Sequence, residues 1–174
     1  MAHIETHNEQ PGIRELFAFR PETAQPLQLL AQTLLRGAST LEPHERELIA
    51  AAVSRENDCT FCHASHAAAA NALVDDASYT RNALAGERDV GKKLEALLPI
   101  ARAVARGGKA VTTAMIDAAR TAGATDVEVH DTVLIAAAFC MFNRYVDGLG
   151  ARTPHDDDAY AQMGAVMAKQ GYVR

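Results

Sequence analysis

The chain has no tryptophan, and aromatic residues make up only 5% of its 174 residues. Proteins that bind single-stranded nucleic acids stack the bases on aromatic side chains, so this scarcity disfavours such a role. The net charge of −5, with no basic cluster to offset it, also disfavours contacts with phosphates. We therefore expect no nucleic-acid partner.

Long apolar runs are also missing. No stretch approaches the roughly 18 consecutive apolar residues that a bilayer-spanning helix needs. The opening segment, MAHIETHNEQPGIREL, lacks the apolar centre of a secretory signal. The three cysteines do not form the framework of a disulfide-rich secreted domain, since two of them lie three positions apart. These absences predict a cytoplasmic protein with no membrane partner.

Strand patterns are absent too, because β-branched residues nowhere alternate convincingly with polar ones. Alanine-rich segments with helical periodicity fill the chain instead, and apolar residues make up 48% of it, enough for a substantial core. The sequence therefore predicts an all-α, single-domain helical bundle comprising residues 1–174. Residues 1–25 are expected to form a peripheral N-terminal segment.

Helix boundaries follow from prolines and capping residues. Pro26 and Pro43 are each expected at the first position of a helix. Pro99 is expected to kink or split the helix that contains it. The pattern Thr125-x-x-Glu128 predicts a capping box. The helix that follows it is apolar almost all round from 133 to 142, which indicates a central buried helix.

The segment NDCTFCHASH, residues 57–66, gathers four soft, titratable side chains, namely Cys59, Cys62, His63 and His66. With Asp58 as the N-cap, Cys59 takes the first position of a helix running to about Leu73. Free backbone N–H groups at a helix N-terminus favour a thiolate and lower the pKa of a cysteine. The segment could be a metal site, a redox dithiol or ordinary helix packing.

Helical spacing places Cys59, Cys62 and His66 on one face. An imidazole at His66 can accept the thiol proton of Cys62 directly or through water. His63 points about a third of a turn away from Cys59. A zinc site would need a fourth ligand, and nothing in the sequence points to either His44 or His130. Three further residues are candidate site residues. Cys140 is expected to be a buried structural thiol. Asn143 and Arg144 are expected to be structural or interface residues.

The segment RELIAAAVSRENDCTFCHASH resembles the core of the alkylhydroperoxidase D and carboxymuconolactone decarboxylase superfamily. The shared motif is a glutamate, eleven residues, and then Cys-x-x-Cys-x-x-x-His, which here corresponds to Glu47, Cys59, Cys62 and His66. The later segment FNRYVDGLGA, residues 142–151, resembles the tail of the peroxidase-related branch. The resemblance covers about residues 41–151, which we take as the family-like core.

The resemblance implies helical protomers that assemble into trimers or hexamers, with antioxidant chemistry at the dithiol and no metal, haem or other cofactor. By the same resemblance, Cys62 is the thiol that peroxide oxidises, and Cys59 is its proton donor and resolving partner. Glu47 and His66 form the proton relay. Phe61 stands where the best-known members carry a histidine. Decarboxylase members lack the cysteine pair.

The function expected from these residues is that of an oxidoreductase, either a thiol-dependent peroxidase or a related disulfide reductase. Its partners would be a small peroxide and an external dithiol that reopens the disulfide at the more exposed sulfur, which we expect to be Cys59. The alternative is a non-catalytic module that senses redox state or binds zinc through the same cluster. We also expect a homo-oligomer.

Overall fold

A computed structural model describes residues 2–173. Within this range the chain forms nine α-helices and one short 3₁₀-helix and contains no strand, which confirms the all-α prediction. The helices are α1 Ile13–Phe19, α2 Pro21–Arg36, α3 Pro43–Glu56, α4 Thr60–Val74, α5 Tyr79–Ala85, α6 Lys92–Arg106, α7 Thr113–Thr121, α8 Asp126–Gly148 and α9 Asp157–Gln170, with the 3₁₀-helix at Gly108–Ala110. No helix of this range is long and apolar enough to cross a membrane.

Two of the predicted helix starts are confirmed. Pro43 is the first residue of α3. At α8 the capping box is complete, because the Thr125 hydroxyl accepts from the backbone N–H of Glu128 and the Glu128 carboxylate accepts from that of Thr125. This box pairs two backbone donors that the helix N-terminus would otherwise leave free.

The predictions from the two other prolines were wrong. α2 begins at Pro21, so Pro26 lies inside the helix, and α6 is continuous through Pro99. Both internal prolines are exposed. Because neither ring interrupts the buried face, the helix–core packing outweighs the one lost backbone hydrogen bond at each proline.

The centre of the core is α3 rather than α8. Every residue from Leu48 to Val53 has no exposed surface, and α3 packs against α4, α6 and α8. α8 has a buried face, but Leu134 and Met141 on its other side are about two-fifths exposed, so the expected all-round burial was wrong. The run of alanines in α3 explains its position, since small side chains let several helices approach at once.

A second, smaller apolar cluster surrounds the two cysteines of α4 and packs with α1, α8 and α9. Its buried members are Leu16, Cys59, Phe61, Cys62, Val146, Ala151 and Tyr160. α9 lies against α4 so closely that a Cβ on Gly164 would clash with the backbone of Ala68. The helix α1, which the sequence pattern did not predict, supplies the fully buried Leu16. The division of the chain into a peripheral N-terminal segment and a family-like core stays a prediction.

Candidate active site

The turn between α3 and α4 presents the dithiol. Asp58 adopts a left-handed conformation with φ of 57°, which aspartate tolerates better than most residues. Cys59 is extended and is itself the N-cap of α4, so the expected N-cap at Asp58 is displaced by one residue. Cys62 falls in the first turn of the helix, and both cysteines are free thiols.

The burial of the two sulfurs differs from the sequence prediction. Cys59 has no exposed surface and Cys62 is 3% exposed, so Cys59 is not the more accessible thiol. Cys62, and not Cys59, lines a cavity under α9. The packing of α1, α8 and α9 over the first turn of α4 is the cause, and this tertiary cover has no signature in the local sequence.

The two thiols also differ in their electrostatics. Hydrogen bonding to Cys62, burial and the charge of Cys62 together raise the pKa of the Cys59 thiol far above its usual value. A hydrogen bond to Asp147 acts in the same direction. Cys59 therefore stays protonated, and its S–H can donate a hydrogen bond to the sulfur of Cys62.

Glu47 and His66 come together although they are 19 residues apart, because α3 and α4 run alongside each other. The His66 Nδ1 lies 2.6 Å from the Glu47 Oε2. An ionised carboxylate only accepts, so this nitrogen carries the proton and Nε2 is left as the acceptor. No direct hydrogen bond joins His66 to Cys62 within residues 2–173, although both side chains line the same cavity.

Two residues that the sequence did not indicate complete the surroundings of Glu47. Arg36, in the last turn of α2, places its NH2 2.6 Å from the Glu47 Oε1. The Tyr172 hydroxyl, from the segment after α9, donates to the same oxygen at 2.5 Å. The Arg36 guanidinium also lies over the Tyr172 ring, 5.2 Å from its centroid. The carboxylate of Glu47, which has no exposed surface, is thus held from α2, from α4 and from the segment after α9.

These contacts decide the ionisation of Glu47. Burial alone would raise the pKa of this carboxyl group, but the charge of a protonated His66 ring and the hydrogen bond from His66, followed by the charge of Arg36 and the Tyr172 hydroxyl, lower it below its usual range. Burial and the charge of Glu47 raise the pKa of Tyr172 well above its ordinary value. Glu47 is therefore a carboxylate at neutral pH and Tyr172 a neutral hydrogen-bond donor.

His63 lies outside this network. Its Nδ1 is 2.9 Å from the carbonyl oxygen of Ala51, and burial lowers the pKa of its imidazole. A neutral ring bonded to the backbone of α3 stabilises the α3–α4 contact. This placement agrees with the helical spacing that turned His63 away from the shared face.

The remaining candidates have structural contacts. The Asn143 side chain joins Asn57 to Ser54, accepting at 2.9 Å and donating at 3.0 Å, so it braces the turn before the dithiol. Arg144 donates to the carbonyl of Cys140 one turn earlier. Cys140 itself is half-buried rather than fully buried, because it sits towards the exposed side of α8.

No ligand set for a metal is assembled in the described part of the chain. Residues 2–173 contain no group of three or more histidine, cysteine, aspartate or glutamate side chains placed to hold an ion. His44 packs edge-on against Tyr79, and His130 bonds to Asp131. Neither histidine supplies a further ligand to the cysteines.

A cavity of about 620 Å³ adjoins the reactive turn. It lies between α1, α4, α8 and α9, and its volume is typical of sites for small organic molecules. Most of the residues that line it are apolar, and the polar ones on α4 are Cys62, Ser65 and His66. The arrangement can bring a small molecule to a cysteine that has a base beside it.

Comparison with known proteins shows which family and fold the chain resembles. A model of the carboxymuconolactone decarboxylase family matches residues 21–77, which include α2, α3, the dithiol and His66. Among curated proteins none matches significantly. A solved structure from Silicibacter sp. TM1040, an uncharacterized peroxidase-related protein, is 24% identical with a TM-score of 0.77, over 87% of this chain and 78% of that one.

A second solved structure comes from Ralstonia eutropha JMP134 and is described as an alkylhydroperoxidase AhpD core, an uncharacterized peroxidase-related protein. It is 26% identical, with a TM-score of 0.78, over 90% of this chain and 82% of that one. Both likenesses extend over nearly the whole bundle, so the similarity is one of overall fold and not of the dithiol segment alone.

Proposed function

The chain belongs to the alkylhydroperoxidase D and carboxymuconolactone decarboxylase superfamily, and from that premise we propose that it is a thiol-dependent peroxidase that uses Cys59 and Cys62. The observation that carries the proposal is the asymmetry of the dithiol. Cys62 lines the cavity beside His66, while Cys59 is sealed in the protein with its proton held. Such a pair separates a thiol that reacts with substrate from one that resolves the product.

In the first step, the His66 Nε2 takes the proton of Cys62, through water or the substrate itself. Glu47, bonded to Nδ1, stabilises the imidazolium that results. The Cys62 thiolate then attacks one peroxide oxygen. A sulfur–oxygen bond forms, the oxygen–oxygen bond breaks, and the leaving oxygen takes the proton to become water or an alcohol. The sulfur is oxidised by two electrons to a sulfenic acid.

In the second step, the sulfur of Cys59 attacks the sulfenic sulfur of Cys62. A disulfide forms, and the hydroxyl leaves as water with the proton that Cys59 had held. An external dithiol returns the protein to its starting state by thiol–disulfide exchange. Because Cys62 lines the cavity and Cys59 does not, the structure favours attack of that reductant on Cys62.

Arg36 and Tyr172 act in this scheme through Glu47. They are positioning residues, because neither contacts a sulfur. By keeping the carboxylate ionised and oriented, they maintain the hydrogen bond that leaves the His66 Nε2 free to accept a proton. A structural metal is not needed for any step.

Thiol counting tests the proposal. One equivalent of peroxide should remove two of the three thiols of the wild-type protein and leave the third one reduced. A dithiol reductant should then restore the two thiols. Cys140→Ser is the matched control and should leave the loss at two. Cys59→Ser should trap a sulfenic acid on Cys62 that dimedone labels, and Cys62→Ser should show no label on Cys59.

Two results would contradict the proposal. If Cys59 of the Cys62→Ser variant labels as fast as Cys62 in the converse variant, the roles of the two cysteines are wrong. If peroxide leaves the thiols intact but a disulfide substrate is reduced, the protein is a disulfide reductase. Stoichiometric zinc in protein purified without chelator would support the metal-binding alternative instead.

A further inference from the structure

Ser65 is a buried polar residue that the scheme above does not use. It lies on α4 and is 3% exposed. Its Oγ has no hydrogen-bond partner anywhere in residues 2–173. A hydroxyl in a helix commonly bonds to a carbonyl one turn back, but this one does not. A buried hydroxyl without a partner is destabilising, so a ligand that bonds to it would be favoured.

The position of Ser65 relates it to the reactive thiol. With 3.6 residues per turn, Ser65 lies about 60° to one side of Cys62 around the axis of α4, and His66 lies about 40° to the other side. All three side chains line the same cavity. A molecule in contact with the Cys62 sulfur is therefore flanked by a base on one side and by an unused donor on the other.

Most of the other residues that line the cavity are apolar, among them Ile13, Phe17, Phe139, Phe142, Met163 and Val166. The polar residues Gln10, Arg14, Gln28, Gln162 and Tyr172 also line it, but they lie on other segments than α4. Since a water molecule occupies about 30 Å³, hydrogen peroxide would fill only a small part of such a space. A molecule with one bulky apolar group and one polar end matches both the wall and Ser65.

Building on the proposed peroxidase function, we infer that Ser65 is a substrate-binding residue that recognises an organic hydroperoxide. The apolar group of the substrate lies in the cavity, and the Ser65 hydroxyl donates a hydrogen bond to the oxygen attached to that group. When the Cys62 thiolate takes the terminal oxygen, the electron pair of the broken bond stays on the oxygen bound by Ser65. That alkoxide accepts the proton carried by His66 and leaves as an alcohol, while Ser65 keeps its own proton.

A binding experiment tests the hydrogen bond without any turnover. Reduced full-length protein is titrated with 2-phenylpropan-2-ol, the alcohol formed from cumene hydroperoxide, and with cumene, which lacks the hydroxyl. Ser65→Ala should weaken the binding of the alcohol by about 10-fold, a typical loss for one hydrogen bond, and leave that of cumene unchanged. Ser65→Thr, which keeps a hydroxyl, should bind the alcohol as tightly as the wild type does. Equal affinities of wild type and Ser65→Ala for the alcohol, or no binding to the wild type, would overturn the assignment.

A kinetic experiment tests the role in the reaction. Oxidation of Cys62 by cumene hydroperoxide in a single turnover should be about 10-fold slower in Ser65→Ala, because a hydrogen bond to a developing negative charge is lost. Ala64→Ser, which adds a hydroxyl outside the cavity lining, is the control and should react like the wild type.

The two proposals fail in different ways. If neither hydrogen peroxide nor an organic hydroperoxide oxidises the wild-type dithiol, the peroxidase function is wrong, and the role of Ser65 in peroxide reduction is wrong with it. If the wild type reacts and Ser65→Ala reacts equally fast, only the assignment of Ser65 is wrong. In that case Ser65→Ala should instead stabilise the fold, since it removes an unpaired buried hydroxyl.

Discussion

Glu47 shows how single residues control this site. Both of its oxygens are used, Oε2 by His66 and Oε1 by Arg36 and Tyr172. A buried carboxylate is retained as a charge only where such partners offset the loss of water. Each partner therefore helps to set the proton affinity of Glu47 and, through it, the orientation of the imidazole beside Cys62.

The first prediction concerns Tyr172. Replacement by phenylalanine removes one of the contacts that lower the pKa of Glu47, so this pKa rises. As the pH falls, Glu47 is then protonated earlier and releases His66 earlier. The acid limb of the pH profile for Cys62 oxidation should therefore move to higher pH. Stopped-flow measurement of oxidation rates across the acid range checks this.

Tyr79→Phe is the control for this experiment. Tyr79 is also a buried tyrosine, 4% exposed, but it packs in the main core rather than around the dithiol. Its replacement should leave the pH profile in place. If the Tyr172→Phe profile also stays in place while its rate falls uniformly, Tyr172 contributes only to packing.

The residues of the site differ in how far the sequence could reveal them. Cys59, Cys62 and His66 follow one another at helical spacing, and the family motif added Glu47. Arg36 and Tyr172 carry no such signal, because the contacts to Glu47 span 11 residues in one case and 125 in the other. Both depend on how α2 and the segment after α9 fold back over α3, which local patterns do not specify.

At the scale of helices, the contact between α9 and α4 keeps the site closed. Gly164 permits this contact, since any Cβ there would meet the backbone of Ala68. α9 also supplies the carbonyl of Met167 to Arg36 at 3.2 Å. A shift of α9 would therefore disturb the cavity wall and the partners of Glu47 together.

The second prediction is that Gly164→Ala opens this contact. Forcing a methyl group into a packed helix interface costs about 1–3 kcal/mol. We expect lower stability in urea and faster alkylation of Cys62, because α9 must move outward. Gly148→Ala is the matched control, since nothing lies within 4 Å of its Cβ position. That variant should be as stable as the wild type or more so.

The third prediction concerns the start of α8. Glu128 caps the helix and also bonds to Lys93 at 2.7 Å and to Thr40 at 2.9 Å. Burial alone would raise the pKa of Glu128, but the bonds from Lys93, the Thr125 backbone and Thr40 lower it to about 2. A carboxyl with a lowered pKa stabilises the fold above its unfolded pKa, and this contribution is lost as the pH falls towards the folded value.

Glu128→Gln should therefore reduce the free energy of unfolding by about 1–3 kcal/mol at neutral pH. The difference between wild type and variant should shrink as the pH falls from about 4.5 towards 2. Urea denaturation at several pH values checks this. A difference that stays constant through the acid range would show that the carboxylate charge is not the cause.

Helix positions were predictable where a local chemical signal exists. The capping residues of α8 and Pro43 of α3 predicted the correct helix starts, because each signal depends only on residues within the first turn of its helix. Pro26 and Pro99 misled because proline is tolerated on an exposed face when the opposite face is buried. The central position of α3 was missed because its alanines gain little from burial individually and become decisive only when several helices pack on them.

At the scale of the whole molecule, α8 presents an apolar stripe to the surface. Val127, Leu134 and Met141 are spaced by seven residues, so they share one side of the helix, and each is at least 40% exposed. Exposed apolar stripes of this kind are favourably covered by another protein surface. Together with the expectation of trimers or hexamers, this feature supports a homo-oligomer.

The fourth prediction is thus that the protein self-associates. Light scattering at micromolar concentration should report a mass well above the 18.6 kDa of one chain. Leu134→Glu should shift the distribution towards smaller species, because it places a charge in the stripe. A wild-type protein that is monomeric at this concentration would contradict the prediction.

The separation of Tyr172 from the rest of the site has a consequence for biosynthesis. Arg36, Glu47 and the dithiol leave the ribosome early, and Tyr172 follows His66 by 106 residues. At about 5–20 residues per second, the nascent chain carries its cysteines for roughly 5–20 s before α9 and Tyr172 can cover them. The cysteines of newly made chains should accordingly be more accessible to a thiol-alkylating reagent than those of mature chains, which pulse-labelling with such a reagent during translation would reveal.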